Sequence, residues 1–410
     1  MVPAEPGVRL ESPGEGLPGD ERKILTAQGL RAVAYGFSSI LLGASLEARG
    51  WSGGEVGLLL AAILMGTAAV SLVVGRVGDR VGRRRLYALL FLGLSVSGLT
   101  FALTDRLWVL VLVALTGTMS TEVVESGPFT SLEQAMLPAR VRAERRTRVF
   151  GTYNAVATLA GSFGALAAGG PALIRGLWPG LPQDHRFFLV LVPVGLAGVA
   201  VARFLSPRVE VPLGERTPSG ALEPSRRSVV RLSGLFAVDS LAGGFVLQSF
   251  LAYWFRLRYG VSLEVLGVVF FLVGLLQAGS FLAATRMADR IGLLNTMVFT
   301  HLPSNVLLAV IPLAPNFPVA LALLLGRYAL SQMDVPIRQA YLAALVTPEE
   351  RTAAAAYTNA ARYAVRPLGP LLGGLAQHVA LGLPFLLGGG IKAAYDLALW
   401  ASFRRVPLTV

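Results

Sequence analysis

Ten ionisable side chains stand where water is scarce: Arg31, Glu122, Glu125, Asp239, Arg327, Asp334, Arg362, Arg366, Lys392 and Asp396 all fall inside apolar stretches long enough to cross a bilayer. An ionised group at a helix centre costs about 2.5–3.5 kcal/mol on insertion scales, so ten uncompensated ones would cost roughly 25–35 kcal/mol. They must therefore be paired, hydrated or close to the headgroups. Groups of this kind hold polar solutes or pass protons. Glu122 and Glu125 are three residues apart and share one helical face. Two neighbouring carboxylates do not both ionise readily in a low dielectric, so one of them can carry a proton. Asn359, Arg362 and Arg366 stand at i, i+3 and i+7, a polar stripe. That stripe either meets an anionic or hydrogen-bonding part of a solute or neutralises Glu122, Glu125 or Asp239. Lys392 and Asp396 have opposite signs at i and i+4 and are expected to neutralise each other, and His301 is expected to be a packing residue. The helices expected along a central pathway carry Arg31, Arg327, Arg362 and Arg366 against Glu122, Glu125, Asp239 and Asp334. The signs cancel, and solute charge stays open.

The elements that must position these groups are membrane helices. Of 410 residues, 54% are hydrophobic and only 15% are charged, far too apolar for an ordinary soluble protein. A helix needs about 20 mostly apolar residues to cross the hydrocarbon. Runs of that kind cover residues 24–46, 55–74, 86–103, 107–127, 149–170 and 187–205, then 232–254, 265–284, 295–313, 317–335, 352–377 and 383–403. The expected fold is an all-α membrane protein with twelve transmembrane helices. The net charge of +12 does not call for a nucleic-acid partner. Most Lys and Arg fall in the segments that are cytoplasmic if the amino terminus is cytoplasmic, which is the positive-inside pattern. Both termini are then expected in the cytoplasm and the chain in the plasma membrane. Residues 1–23 lack a basic region followed by a short apolar core and a cleavage site, and read as a cytoplasmic tail. There are no cysteines, hence no disulfides, and three scattered histidines do not suggest a metal site. No nucleotide-binding signature is present, and no cofactor is expected.

The two halves repeat. Residues 206–231 have the Pro, Ser and charge content of a linker, which divides the chain into bundles at 24–205 and 232–403, with a short tail at 404–410. Across the linker, Asp79-Arg80-Val81-Gly82 matches Asp289-Arg290-Ile291-Gly292, and Pro128 matches Pro336 at the end of the fourth span. Glu144 to Thr147 with Asn154 and Gly164 matches Glu349 to Thr352 with Asn359 and Gly369, at a constant offset of 205. Aligning Tyr35-Gly36-Phe37 with Gly243-Gly244-Phe245 sets Arg31 against Asp239, so equivalent positions carry opposite charges. Duplicated six-helix bundles with parallel repeats form one of the transporter architectures, with the site between the bundles.

At this point the chain resembles the major facilitator superfamily over essentially its whole length. The most specific element is residues 75–85, GRVGDRVGRRR, where Gly75, Asp79, Arg80, Gly82, Arg83 and Arg84 match that superfamily's signature G-x-x-x-D-R-x-G-R-R. The resemblance implies two pseudo-symmetric six-helix bundles, with Asp79 and Arg80 latching them together on the cytoplasmic side in the outward-open state. It also implies that the first and seventh spans face each other, so that Arg31 and Asp239 interact or compete for substrate. Asp289 and Arg290 form a second latch, weaker because Thr285 and Leu293-Leu294 replace Gly and the paired Arg. The drug-efflux branch usually has an Arg in the fourth span and G-P-x-x-G-G in the fifth. This chain lacks both and carries the latter as Gly369 to Gly374 in the eleventh. The expectation is a monomeric, non-enzymatic secondary active transporter of a small organic solute, proton-coupled through Glu122, Glu125 or Asp239 and working as an exporter. The alternatives are uptake or exchange of a small organic anion and, in another class, a membrane receptor that does not transport.

Overall fold

The computed structural model describes residues 19–120, 127–137, 143–180, 184–210, 224–347 and 350–407, and among them it contains seventeen α-helices and no strand. The first half holds α1 (Gly19–Ala48), α2 (Gly53–Val81), α3 (Arg83–Leu103), α4 (Leu107–Ala114), α5 (Gly127–Met136), α6 (Ala143–Ala167), α7 (Gly170–Leu177) and α8 (Leu191–Phe204). The second holds α9 (Arg226–Gly244), α10 (Gln248–Tyr259), α11 (Leu263–Ile291), α12 (Leu293–Val310), α13 (Phe317–Ser331), α14 (Asp334–Leu345), α15 (Arg351–Val365), α16 (Leu368–Val379) and α17 (Leu383–Phe403).

Among the described residues, eight helical stretches are long and apolar enough to span a bilayer. The other expected spans differ for visible reasons. The fourth stops being helical after Ala114 and turns at Gly117, whose φ is +68°. The tenth breaks at Gln332 and Met333, directly before α14 begins at Asp334, and the eleventh breaks at Arg366 and Pro367. The twelfth is continuous as α17, but Lys392 and Asp396 dilute its apolar run. The seventh also breaks, between Gly244 and Gln248. Such breaks are tolerated at membrane depth where protein or a cavity surrounds the backbone.

Small residues bring the helices together. Where α1 crosses α6, a Cβ on Gly164 would collide with the Val33 carbonyl; where α9 crosses α16, one on Gly369 would collide with that of Leu241. Val33 and Leu241 are related by the alignment that equates Arg31 with Asp239, and Gly164 and Gly369 by the 205-residue offset. The repeat read from sequence is therefore the repeat of the helix crossings, as expected for backbones packed through small residues in lipid.

The turn from α2 to α3 recurs between α11 and α12: Gly82 and Gly292 have φ of +96° and +83°, a region that only glycine enters without strain. In the first half this turn is held by the linker. The Glu210 carboxylate accepts the Arg83 N–H at 2.7 Å and the Arg84 N–H at 3.1 Å, and the Arg84 side chain donates to the Arg203 carbonyl at 3.0 Å. An acid at a helix amino terminus satisfies donors that the helix leaves open. Glu210→Ala should lower stability by about 0.5–2 kcal/mol, as for lost helix caps, and a thermal melt in detergent would show it. Nearby, Ser206 donates its N–H and hydroxyl to Asp20. Burial alone would raise the Asp20 pKa, yet the bonds from Ser206 and Lys23 hold it below the ordinary carboxylate value.

Candidate functional site

The halves meet at the end remote from the 75–85 turn. There, α2 lies on α16 with no room for a Cβ at Gly57 against the Pro370 carbonyl, or at Gly374 against the Gly53 carbonyl. Arg256 donates to Glu47 at 2.8 Å, the Tyr253 hydroxyl to the Trp51 carbonyl at 3.2 Å, and the Gly54 N–H to His378 Nε2 at 3.1 Å. The G-P-x-x-G-G run thus serves as a seal between halves. At the other end Arg80, Asp289 and Arg290 are exposed and make no hydrogen bond or ion pair among the described residues. The Asp79 side chain lies outside what the structure describes, and Gly75 has open space around it. Among the described side chains, Arg80, Asp289 and Arg290 are not paired with the opposite half. Arg83 is buried and Arg84 partly buried because they pack on the linker.

Between these ends is a cavity of about 230 Å³. Its walls come mostly from the second half, closed on one side by Thr158, Gly161, Ser162 and Ala165 of α6. Asp239, Arg327, Asp334, Arg362 and Arg366 all line it. The stripe on α15 is incomplete, since Asn359 is exposed and is not part of the wall. Glu122 and Glu125 lie outside the described residues.

Arg31 is a correction. It does not reach Asp239 or the cavity wall but lies buried inside the first half, where it donates to Glu133 Oε2 at 2.6 Å. Tyr87 and Tyr153 each donate a hydroxyl to the same carboxylate at 2.6 Å, and the guanidinium sits 4.8 Å from the Phe129 ring centre. A buried charge pair is tolerated when its remaining lone pairs are satisfied, and here two phenols do so.

Asp239 closes a different network. It accepts from Lys392 Nζ at 2.5 Å and lies 3.8 Å from Arg338, which also donates to Asp334 at 3.3 Å. The expected pairing of Lys392 with Asp396 is therefore replaced by one between α17 and α9. Asp396 instead binds His301 Nδ1 and Asn305 Nδ2, each at 2.8 Å. His301 is more than packing: it lines the cavity.

Sequence reasoning overlooks Glu133 and Arg338, though the signal exists. Leu132-Glu133-Gln134-Ala135 and Ile337-Arg338-Gln339-Ala340 match at the same 205-residue offset. Arg31 with Glu133 and Asp239 with Arg338 are thus repeat-related ion pairs with their signs exchanged. The first is sealed with tyrosines; the second opens onto the cavity.

The model of the Major Facilitator Superfamily matches residues 24–370. This chain belongs to that superfamily. A facilitator-superfamily chain is a multi-pass membrane transporter, and the comparisons with other proteins agree with that class. Uncharacterized membrane protein YJR124C of Saccharomyces cerevisiae is 25% identical over 413 residues, covering 92% of each chain. In shape, this facilitator resembles the nucleoside transporter NupG (TM-score 0.73, 12% identity, covering 94% of this chain and 100% of that one). It also resembles the inward-open xylose transporter XylE from E. coli (0.69, 14%, 95% and 97%). A third likeness is to a bacterial homologue of the human lysosomal transporter Spinster, inward-facing and occupied (0.70, 16%, 94% and 96%). At these identities the likeness establishes the superfamily fold.

Proposed function

We propose that the chain is a secondary active transporter that carries a small organic solute by alternating access, and that the cavity grips the solute through an anionic group. Arg327 carries this reading. Its Nε and Nη1 are buried at the cavity and have no hydrogen-bond partner among the described residues, while the guanidinium rests 4.6 Å from the Tyr328 ring centre. The two carboxylates described on the wall, Asp239 and Asp334, are already engaged by Lys392 and Arg338. A buried guanidinium without an acceptor carries a desolvation penalty that a bidentate carboxylate or phosphate relieves. The solute-anion alternative therefore fits the wall better than a cation does.

With the linker and the basic turns in the cytoplasm, as the positive-inside pattern expects, the sealed end faces outward and the cavity is reached from inside. The signature residues Asp79, Arg80, Asp289 and Arg290 then latch the cytoplasmic end in the opposite state. The protein works as a monomer in the plasma membrane, proton-coupled, and export is the direction carried over from the sequence. Flux in proteoliposomes of organic anions, neutral isosteres and amines, with and without a pH gradient, tests this. Arg327→Gln should raise the KM for the anion roughly tenfold to a hundredfold, the worth of hydrogen bonds to a charged group. Equal flux of anion and neutral isostere, or an unchanged KM in the variant, counts against the anion. Absence of flux for any solute would favour the receptor.

A further inference from the structure

We propose that His301 and Asp396 form the proton-binding site of this transporter, a site on α12 and α17 separate from the acids expected to carry the proton. This rests on the transport reading above for its meaning, but the site is defined by its own geometry. Asp396 is 1% exposed and accepts two bonds, from His301 and from Asn305. Asn305 is neutral, and no Lys or Arg lies within ion-pair distance of Asp396 among the described residues. The neighbouring Asp239 and Asp334 already take Lys392 and Arg338. Asp396 thus has no permanent cation of its own, and a buried charge is retained only when compensated. The charge that compensates it is a proton shared with His301.

Imidazole suits the task because small changes of surroundings move its charge across neutral pH. Nδ1 faces Asp396, and Nε2 has no hydrogen bond among the described residues, so a proton from the water-accessible side can be taken there. The groups that bear on His301 come from several helices. From α17 they are Asp396, Lys392 and the Tyr395 ring, edge-on at 6.2 Å. From α9 comes Asp239, and from α14 come Asp334 and Arg338. Arg327 of α13 and Arg362 and Arg366 of α15 line the same cavity, whereas α11 presents only uncharged side chains to it. An arriving anion offsets those arginines and favours the protonated pair, which links solute to proton. On deprotonation, Lys392 lies between Asp239 across the helix interface and Asp396 one turn along its own helix. Its shift toward Asp396 loosens α17 from α9.

The repeat sharpens the point. Counting from Gly82 and Gly292, which precede α3 and α12, His301 occupies the place of Phe91 and Asn305 that of Ser95. The first half has no such pair at these positions.

The chain has three histidines, His185, His301 and His378, so histidine-selective ¹⁵N NMR of the full chain in nanodiscs resolves the site without knowing the solute. The His301 resonance is assigned by its loss in His301→Gln. It should move with pH in the parent, and Asp396→Asn should weaken proton binding roughly tenfold or more by removing the facing charge. A His301 signal that does not move with pH, or a midpoint indifferent to Asp396→Asn, overturns the site. In proteoliposomes, His301→Gln should lose pH-driven accumulation of the organic anion. Retention of full pH-driven accumulation also overturns the proposal. Titration of His301 in a protein that moves no anion would defeat the transport reading and leave the proton site standing, so the two failures are told apart. If His301→Gln does not fold, Asn305→Ala carries the same transport test, with partial uncoupling expected.

Discussion

Glu133→Ala should destabilise the protein by about 3–5 kcal/mol, the loss found when one partner of a buried ion pair is removed. Arg31 is 1% exposed and Glu133 is fully buried, so water cannot replace the missing carboxylate. The same change strands the hydroxyls of Tyr87 and Tyr153, whose acceptor is Glu133. Arg31→Met combined with Glu133→Met should recover most of the stability, because the cost comes from the uncompensated charge and not from any net strength of the pair. Thermal unfolding in detergent of the two single variants and the double variant reads this directly. Singles as stable as the double would show that the pair is not buried as described.

The second large effect is conformational. Gly374→Leu should abolish net transport while leaving the bundles folded, because any side chain there runs into the Gly53 backbone across the seal. Close-packed backbones do not yield gradually. Reversing a two-state equilibrium from 1:99 to 99:1 takes about 5.5 kcal/mol, and a backbone clash of this kind supplies energy on that scale. The variant should populate the state in which the Glu47–Arg256 end is parted. The chain has no native cysteine, so spin labels at Ala48→Cys and Leu257→Cys report that end alone. The distance between the labels should lengthen in Gly374→Leu relative to the parent. An unchanged distribution with full transport would mean that the crossing is not a gate.

Fold and repeat are legible in the sequence because lipid enforces them. Hydropathy marks the spans, and glycine spacing records where backbones touch, as Gly164 with Val33 and Gly369 with Leu241 show. Which charges meet is less legible. Aligning Arg31 with Asp239 identifies equivalent positions correctly, yet equivalence in a repeat places residues in matching environments of separate bundles. It does not place them in contact. Each then finds its counter-ion in its own half, in Glu133 for one and in Lys392 and Arg338 for the other. The i, i+4 spacing of Lys392 and Asp396 misleads for a similar reason: a buried lysine follows the stronger acceptor set across the interface, and Asp396 is met by His301 and Asn305 from α12.

The lopsided cavity has a mechanical consequence. Because the charged side chains described on the wall belong to the second half, a solute held as proposed rides with that half while α6 slides past, offering little beyond the hydroxyls of Thr158 and Ser162 among the described residues. Anchoring strength at the arginines therefore does nothing by itself to draw the bundles together. On the proposed reading, the pull that closes the gap comes from the few hydroxyl groups on the moving face, so turnover follows the weak side of the pocket and occupancy the strong one.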